Sequence, residues 1–201
     1  MASLTRDQLL DLFRASGAWH EGHFQLSSGL HSSGYLQCAL VLQHPAHAAR
    51  LGTALAAELG QPLPTVVLSP ALGGLIIGHE VARALGVRAI FAERQDARLT
   101  LRRGFALTPD DRVLVVEDVV TTGLSTNETI EVAGTSGATV VGAAAIVDRS
   151  DGRARLPVPF VSLLELRVPV WHPDECPLCG QGLPLTKPGS RPSADGVSAR
   201  R

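Results

Sequence analysis

The apolar positions of the chain change period along its length, and those changes divide it into elements. Residues 5–16 place Leu9, Leu10 and Phe13 at helical spacing, with Thr5 able to cap the start and Gly17 just beyond the end. The next stretch, Gly22-His23-Phe24-Gln25-Leu26-Ser27-Ser28-Gly29-Leu30-His31-Ser32-Ser33-Gly34, is too rich in turn formers for a long helix. It predicts short extended pieces joined by tight turns. An alanine-rich helix is expected over 45–59. From there the pattern repeats as strand, glycine-rich turn and helix: Thr65-Val66-Val67-Leu68, then Ser69-Pro70-Ala71-Leu72-Gly73-Gly74, then a helix over 75–85 that stops at Gly86. Strands are expected over 88–92, 113–116 and 140–147, and a helix over 125–134.

Continuous apolar runs alternating with helices predict an α/β fold with a mainly parallel sheet covered on both faces. Ligands of such sheets gather outside the carboxyl ends of the strands. The turns after Leu68, Val116 and Val147 are therefore where chemistry is expected. The tail over 187–201 is rich in Pro, Gly, Ser and Arg with almost nothing to bury, and is expected to be mobile.

Composition narrows the possibilities. A chain of 201 residues suffices for one domain with appendages. With 45% apolar but only 4% aromatic residues, the core must rest on Ala, Val, Leu and Ile, and little is left for base-stacking platforms. A net charge of −1 with signs intermixed gives no broad footprint for nucleic acid. Basic groups do cluster at Arg94, Arg98, Arg102 and Arg103, as a solvated loop or as a clamp for a small polyanion. There is no secretory leader pattern and no run near the roughly 18 apolar residues of a membrane helix. Three cysteines cannot all pair with one another. The expectation is a soluble cytoplasmic protein with neither membrane nor nucleic-acid partners.

The most informative segment is Val113-Leu114-Val115-Val116-Glu117-Asp118-Val119-Val120-Thr121-Thr122-Gly123-Leu124-Ser125. A buried strand delivers two adjacent carboxylates to the sheet edge, and a Thr-Thr-Gly-x-Ser turn leads into a helix. Free N–H groups at a helix start make a phosphate site. The hydroxyls of Thr121, Thr122 and Ser125 add donors, while Gly123 permits close approach. Carboxylates beside an anion site make sense when the ligand also carries vicinal hydroxyls, which carboxylates accept well. A 5-phosphorylated ribose has both features. The plainer alternative is that Glu117 and Asp118 end a strand and Ser125 caps a helix.

This segment resembles the phosphoribosyl-pyrophosphate (PRPP) motif of the type I phosphoribosyltransferase family. The resemblance implies that family's fold, with a mainly parallel central sheet flanked by helices and a small N-terminal hood. It divides the chain into a helix and hood over 1–44, a core over 45–170 and an extension over 171–201. It implies PRPP binding by Glu117, Asp118, Val119, Val120, Thr121, Thr122, Gly123, Leu124 and Ser125, with Glu117 and Asp118 on the ribose hydroxyls. It further implies pyrophosphate at Gly73 and Gly74 in the turn Ser69 to Gly78, where main-chain N–H groups are approachable.

The turn Ser69 to Gly78 and two further segments resemble the branch of that family that uses orotate. The turn Phe24 to Ser32 resembles its base-binding turn, which implies Ser27, Ser28, Gly29 and His31 as base contacts, together with Thr121. Arg149, in Ile146-Val147-Asp148-Arg149, can grip a carboxylate with two hydrogen bonds, and orotate carries one while purines do not. The implied reaction joins PRPP and orotate into orotidine 5′-monophosphate in pyrimidine biosynthesis. The resemblance also implies a homodimer and Mg²⁺ carried in with the substrate, with no metal held by direct protein ligands.

The chain departs from that family where a mobile loop usually supplies lysines and a histidine. Here 93–105 has neither, and Lys187 is the single lysine of the chain. Arg94, Arg102 and Arg103 are the implied catalytic groups, able to neutralise pyrophosphate but poor proton donors. A non-catalytic PRPP-binding regulator and a purine phosphoribosyltransferase stay open as alternatives. His31, where relatives have lysine, is either a phosphate contact or a structural histidine. His172-Pro173-Asp174-Glu175-Cys176-Pro177-Leu178-Cys179 suggests half a zinc site, but with only Cys38 remaining a four-cysteine site cannot form, and a packed turn is expected.

Overall fold

A computed structural model describes residues 4–26 and 28–188. Its elements begin with helix α1 (Arg6–Ala15), strands β1 (Trp19–Gln25) and β2 (His31–Leu36), helices α2 (Cys38–Leu42) and α3 (Pro45–Ala57), strand β3 (Val66–Pro70) and helix α4 (Gly74–Leu85). Strands β4 (Arg88–Gln95), β5 (Arg98–Leu101) and β6 (Arg112–Val120), helix α5 (Leu124–Thr135) and strands β7 (Thr139–Asp148), β8 (Phe160–Glu165) and β9 (Val170–Trp171) follow. A 3-10 turn at Pro173–Glu175 and helix α6 (Pro177–Gly180) come last. By its contacts the chain forms two compact units: the chain up to Ala18 with Gln37–Arg167, and Trp19–Leu36 with the chain from Val168.

In the larger unit α1 starts as its sequence directs. The Thr5 hydroxyl accepts the Gln8 N–H at 3.3 Å and the Gln8 side chain accepts the Thr5 N–H at 3.0 Å, a reciprocal cap, with Leu9 and Phe13 buried. The sheet has six strands in the order β5-β4-β3-β6-β7-β8. All neighbours are parallel except β4 and β5, so the expected mainly parallel α/β sheet is what forms. Successive residues of a strand face opposite sides. Val66, Leu68, Val113 and Val115 therefore share one core with Ile130 and Ala133 of α5. Val67 turns the other way, towards Gly78 of α4. Both faces are covered, which is why these strands are apolar throughout.

Strand order sets the position of the site. From β3 the chain runs through α4 to β4, then returns to the other side of β3 as β6 and continues through α5 to β7. The direction of winding reverses between β3 and β6. Right-handed crossovers put α4 and α5 on opposite faces, so a crevice opens at the carboxyl ends of these two strands.

Three differences from the sequence reading stand out in the larger sheet. Strand β6 runs four residues past Val116, because its ladder continues as Glu117↔Ala145, Val119↔Val147 and Val120↔Asp148. The acidic pair thus sits within the strand. Residues 93–105, expected as a loop, contain most of an antiparallel hairpin. Asp96 and Ala97 turn it with φ of 48° and 66°, the two-residue geometry that matches strand twist. Strand β8, not anticipated, pairs with β7 from Phe160 to Glu165.

The smaller unit is a three-stranded sheet, β1-β2-β9. The turn-rich stretch 22–34 forms the β1–β2 hairpin, and a register shift between Glu21 and Phe24 accommodates an irregularity in β1. Thr186 runs beside β1, its carbonyl accepting the Gln25 N–H and its N–H donating to the His23 carbonyl, both at 2.8 Å. Of the tail expected to be mobile, residues from Gly189 onward lie outside the described residues.

Candidate active site

Strand β6 carries Glu117 and Asp118 to the crevice. The Asp118 N–H donates to Glu117 Oε1 at 3.2 Å, and the Val119 N–H donates to Asp118 Oδ1 at 2.8 Å. Glu117 is buried and Asp118 half-buried. Burial, and then the neighbouring Asp118 charge, pushes the Glu117 carboxyl well above the ordinary carboxylate range. Burial pushes Asp118 up as well, against the pull of its own hydrogen bonds. Two carboxyls in this condition favour anything that lets them ionise: hydroxyl donors, or a cation that prefers hard oxygens.

The turn that follows offers uncapped backbone donors to an anion. Gly123 has φ 79°, and no side chain caps the start of the twelve-residue helix α5. Its first-turn N–H groups and its dipole point at the crevice. Thr121, Thr122 and Leu124 are exposed, and Ser125 is half-buried. The Thr122 hydroxyl accepts the Leu124 N–H at 3.3 Å, which shapes the turn. Behind it, Asn127 donates to the Arg155 carbonyl at 3.1 Å and ties the strap after β7 to α5.

The turn between β3 and α4 meets the acidic pair directly. A Cβ built on Gly73 lies 2.6 Å from Asp118 Oδ1, and one on Gly74 lies 2.7 Å from the Val116 carbonyl oxygen. The Ser69 hydroxyl lies buried under this turn with no hydrogen-bond partner. From the other side, the Arg149 N–H donates to the Val120 carbonyl at 2.8 Å, which puts Arg149 beside Thr121. Sequence reasoning missed Cys38. It is buried at the start of α2, its thiol pushed up by burial first and then by Asp118, while Arg149 opposes the rise. Nothing local in the sequence connects Cys38 to the acidic pair, because α2 reaches it only through the fold.

The structure thus brings Gly73, Gly74, Glu117, Asp118, Val119, Val120, Thr121, Thr122, Gly123, Leu124, Ser125 and Arg149 to one sheet edge. The hairpin arginines are placed differently. Arg94 donates to Glu128 Oε2 of α5 at 2.6 Å and to the Ala97 carbonyl at 2.8 Å. Arg103 forks onto Glu93 at 2.6 and 2.8 Å, and its guanidinium lies 5.9 Å from the centre of the Phe91 ring. Arg102 is exposed, and its charge helps the Arg103 hydrogen bond hold the Glu93 carboxyl low. A cavity of about 630 Å³ between β5 and α5, lined by Arg98, Leu101, Glu128 and Thr135, shares no residue with the carboxyl-edge site. Converging donors and carboxyls decide the location of the chemistry, and the size of a groove does not.

In the smaller unit, Ser28 and Gly29 form the β1–β2 turn, with Gly29 at φ 84° and Leu26 and Leu30 joined at 2.8 Å. Ser27 lies outside the described residues. His31 is buried, its Nδ1 3.0 Å from His23 Nε2.

Comparison with known proteins agrees with this geometry. Residues 40–177 match the model of the phosphoribosyl transferase domain. The orotate phosphoribosyltransferase of Heliobacterium modesticaldum is 54% identical over 190 residues, spanning 94% of this chain and all of that one. That of Pelotomaculum thermopropionicum is 52% identical, over 94% of this chain and 99% of its own. Among solved structures, orotate phosphoribosyltransferase from Aeropyrum pernix superposes with a TM-score of 0.64 at 31% identity, covering 79% of this chain and 93% of that one. The Mycobacterium tuberculosis H37Rv enzyme in complex with PRPP gives 0.63 at 25% identity, over 83% and 92%.

Proposed function

We infer, for a chain that belongs to the orotate phosphoribosyltransferase family, that it transfers 5-phosphoribosyl from PRPP to orotate, giving orotidine 5′-monophosphate and pyrophosphate in pyrimidine biosynthesis. The observation that carries the site assignment is the meeting of the Gly73 turn, the acidic pair and the uncapped start of α5 at one switch point. In this reading Glu117 and Asp118 accept the ribose hydroxyls, and Thr121 to Ser125 hold the 5′-phosphate. Main chain at Gly73 and Gly74 receives the pyrophosphate. As a bond forms from the base nitrogen to the anomeric carbon, the bond to the pyrophosphate oxygen breaks and its electron pair leaves with pyrophosphate. The carboxylates stabilise the cationic character that develops on the ribose.

Arg149, next to Thr121, suits the orotate carboxylate, and its two-pronged geometry selects against a purine. The roles of Ser27, Ser28, Gly29 and His31 rest on the family resemblance alone, as do those of Arg94, Arg102 and Arg103 on the leaving group. Mg²⁺ carried in with PRPP would suit the hard oxygens of Glu117 and Asp118 nearby, and would supply charge neutralisation at the leaving group. Family resemblance also supports a homodimer working in the cytoplasm; no described helix is long and apolar enough to cross a membrane. Arg149→Ala tests the base assignment. It is expected to raise KM for orotate about 10- to 100-fold, the worth of a charge-assisted pair, with PRPP affinity unchanged. Unaltered orotate kinetics would remove Arg149 from the base site.

A further inference from the structure

The smaller unit contains a cluster of which the transferase reading uses only His31, and that by resemblance alone. His23, His31, Cys176 and Cys179 each offer one ligand atom, and the four atoms all lie within 4.8 Å of one another. His23 Nε2 is 3.0 Å from His31 Nδ1, 3.5 Å from Cys176 Sγ and 3.7 Å from Cys179 Sγ, and Cys179 Sγ is 3.3 Å from His31 Nδ1. Zinc bonds of about 2.0–2.1 Å to nitrogen and about 2.3 Å to sulfur, at tetrahedral angles, require ligand atoms roughly 3.3–3.8 Å apart. The cluster is already near that size.

Its surroundings are those of a ligand set. His23 Nδ1 lies 2.9 Å from the Leu183 carbonyl, an acceptor that places the proton on Nδ1 and leaves Nε2 as the electron donor. Cys176 and Cys179 have the C-x₂-C spacing of a metal knuckle, closed by the Gly180 N–H donating to the Cys176 carbonyl at 3.3 Å. Three of the four residues are buried. Two thiolates and two neutral imidazoles balance one divalent cation, whereas Mg²⁺ and Ca²⁺ prefer oxygen. The unit also needs a fastener. Its buried apolar residues, among those described, are Phe24, Leu36 and Cys176. Segments this small commonly depend on a metal or a disulfide, and its two cysteines, Cys176 and Cys179, are free.

We propose that His23, His31, Cys176 and Cys179 bind one structural zinc ion that fastens the β1–β2 hairpin to the C-terminal segment. Cys38 and His172 take no part; the two histidines complete what the Cys176–Cys179 pair begins. Both hairpin ligands flank the turn carrying Ser28 and Gly29, so the ion also fixes the ends of that turn. His31 would then be a metal ligand, in place of the base contact that the family resemblance alone gave it.

The test is elemental analysis of the purified full-length chain after dialysis, with zinc affinity measured against a chromophoric chelator under reducing conditions. About one zinc per chain is expected. Cys179→Ser and His23→Gln should weaken it at least about 100-fold, while Cys38→Ser leaves it unchanged. Cobalt substituted into the wild type should give the visible bands of a tetrahedral thiolate site. If either variant fails to fold, chelator-stripped wild type is compared with the zinc-restored chain, and Tm should rise on restoration. A wild-type chain that holds zinc no more tightly than the Cys176→Ser/Cys179→Ser double variant, or that shows no Tm rise on zinc addition, overturns the proposal. Neither readout depends on phosphoribosyl transfer.

Discussion

At the turn after β3, Gly73 keeps an ordinary helical φ of −56°, and what the position lacks is room: a Cβ there lies 2.6 Å from Asp118 Oδ1. At the turn after β6, Gly123 sits at φ 79°, and a Cβ there meets Ala154 Cβ and Leu156 Cδ2 at 3.2 Å. Both are glycines in a strand–turn–helix step on the same sheet edge. The first is required by the Asp118 carboxylate on a neighbouring strand, the second by its own backbone and by the strap behind it. Gly74 adds a third reason, since its missing Cβ leaves space for the Val116 carbonyl. The difference separates a glycine that leaves room for a neighbouring carboxylate from one that its own backbone and packing require.

Gly123→Ala tests the second kind and carries the largest expected effect. A left-handed alanine costs about 1–2 kcal/mol, and the tight contacts add to it. Lower Tm in denaturation scans and a loss of PRPP affinity on the order of 100-fold are expected together. Retained affinity at lowered Tm would confine Gly123 to the fold.

Glu117→Gln comes next and should separate activity from stability. The Glu117 carboxyl is raised in the folded chain, so its contribution to stability is full below the ordinary carboxylate pKa of about 4.3 and is lost as pH rises towards the raised value. Ligand-free wild type should therefore lose Tm from about pH 5 upward, and Glu117→Gln should flatten that decline while kcat/KM falls on the order of 10- to 100-fold. Parallel pH profiles of Tm in the two proteins would contradict the burial account.

Gly73→Ala should act more narrowly. Its Cβ displaces the Asp118 carboxylate, a side chain that can rotate, so kcat/KM is expected to drop about tenfold with Tm little changed. A Tm loss as large as that of Gly123→Ala would erase the distinction between the two turns.

The smallest effects are expected on the hairpin. Arg103 is committed to Glu93 and is largely exposed, so Arg103→Ala should leave Tm nearly unchanged. Arg102→Ala should lower kcat more than Arg103→Ala, because the Arg103 fork is already occupied. Steady-state kinetics showing the reverse order would point to the Glu93 pair opening during turnover.

What could be read from the sequence was what is local in it. The run from Val113 to Ser125 holds strand, acids, turn and helix start in thirteen consecutive residues, so their placement followed from periodicity and turn chemistry. The α1 cap and the Gly86 stop were legible for the same reason. The hairpin at 93–105 was not, because its turn uses Asp96 and Ala97 where Asn-Gly or Asp-Gly would announce one. Cys38 beside the acidic pair depends on chain crossings that no window reveals. The His23, His31, Cys176 and Cys179 cluster joins residues up to 156 positions apart. Its cysteine half showed in the sequence, while its histidine half was scattered through a turn-rich hairpin.

The central claim is that the crevice between β3 and β6 converts orotate with PRPP. Its most direct test is orotate absorbance, followed with the full-length chain, PRPP and Mg²⁺ together and with each left out. The account predicts a fall in orotate signal that requires all three and disappears in Gly123→Ala. Bound PRPP with no loss of orotate would contradict it.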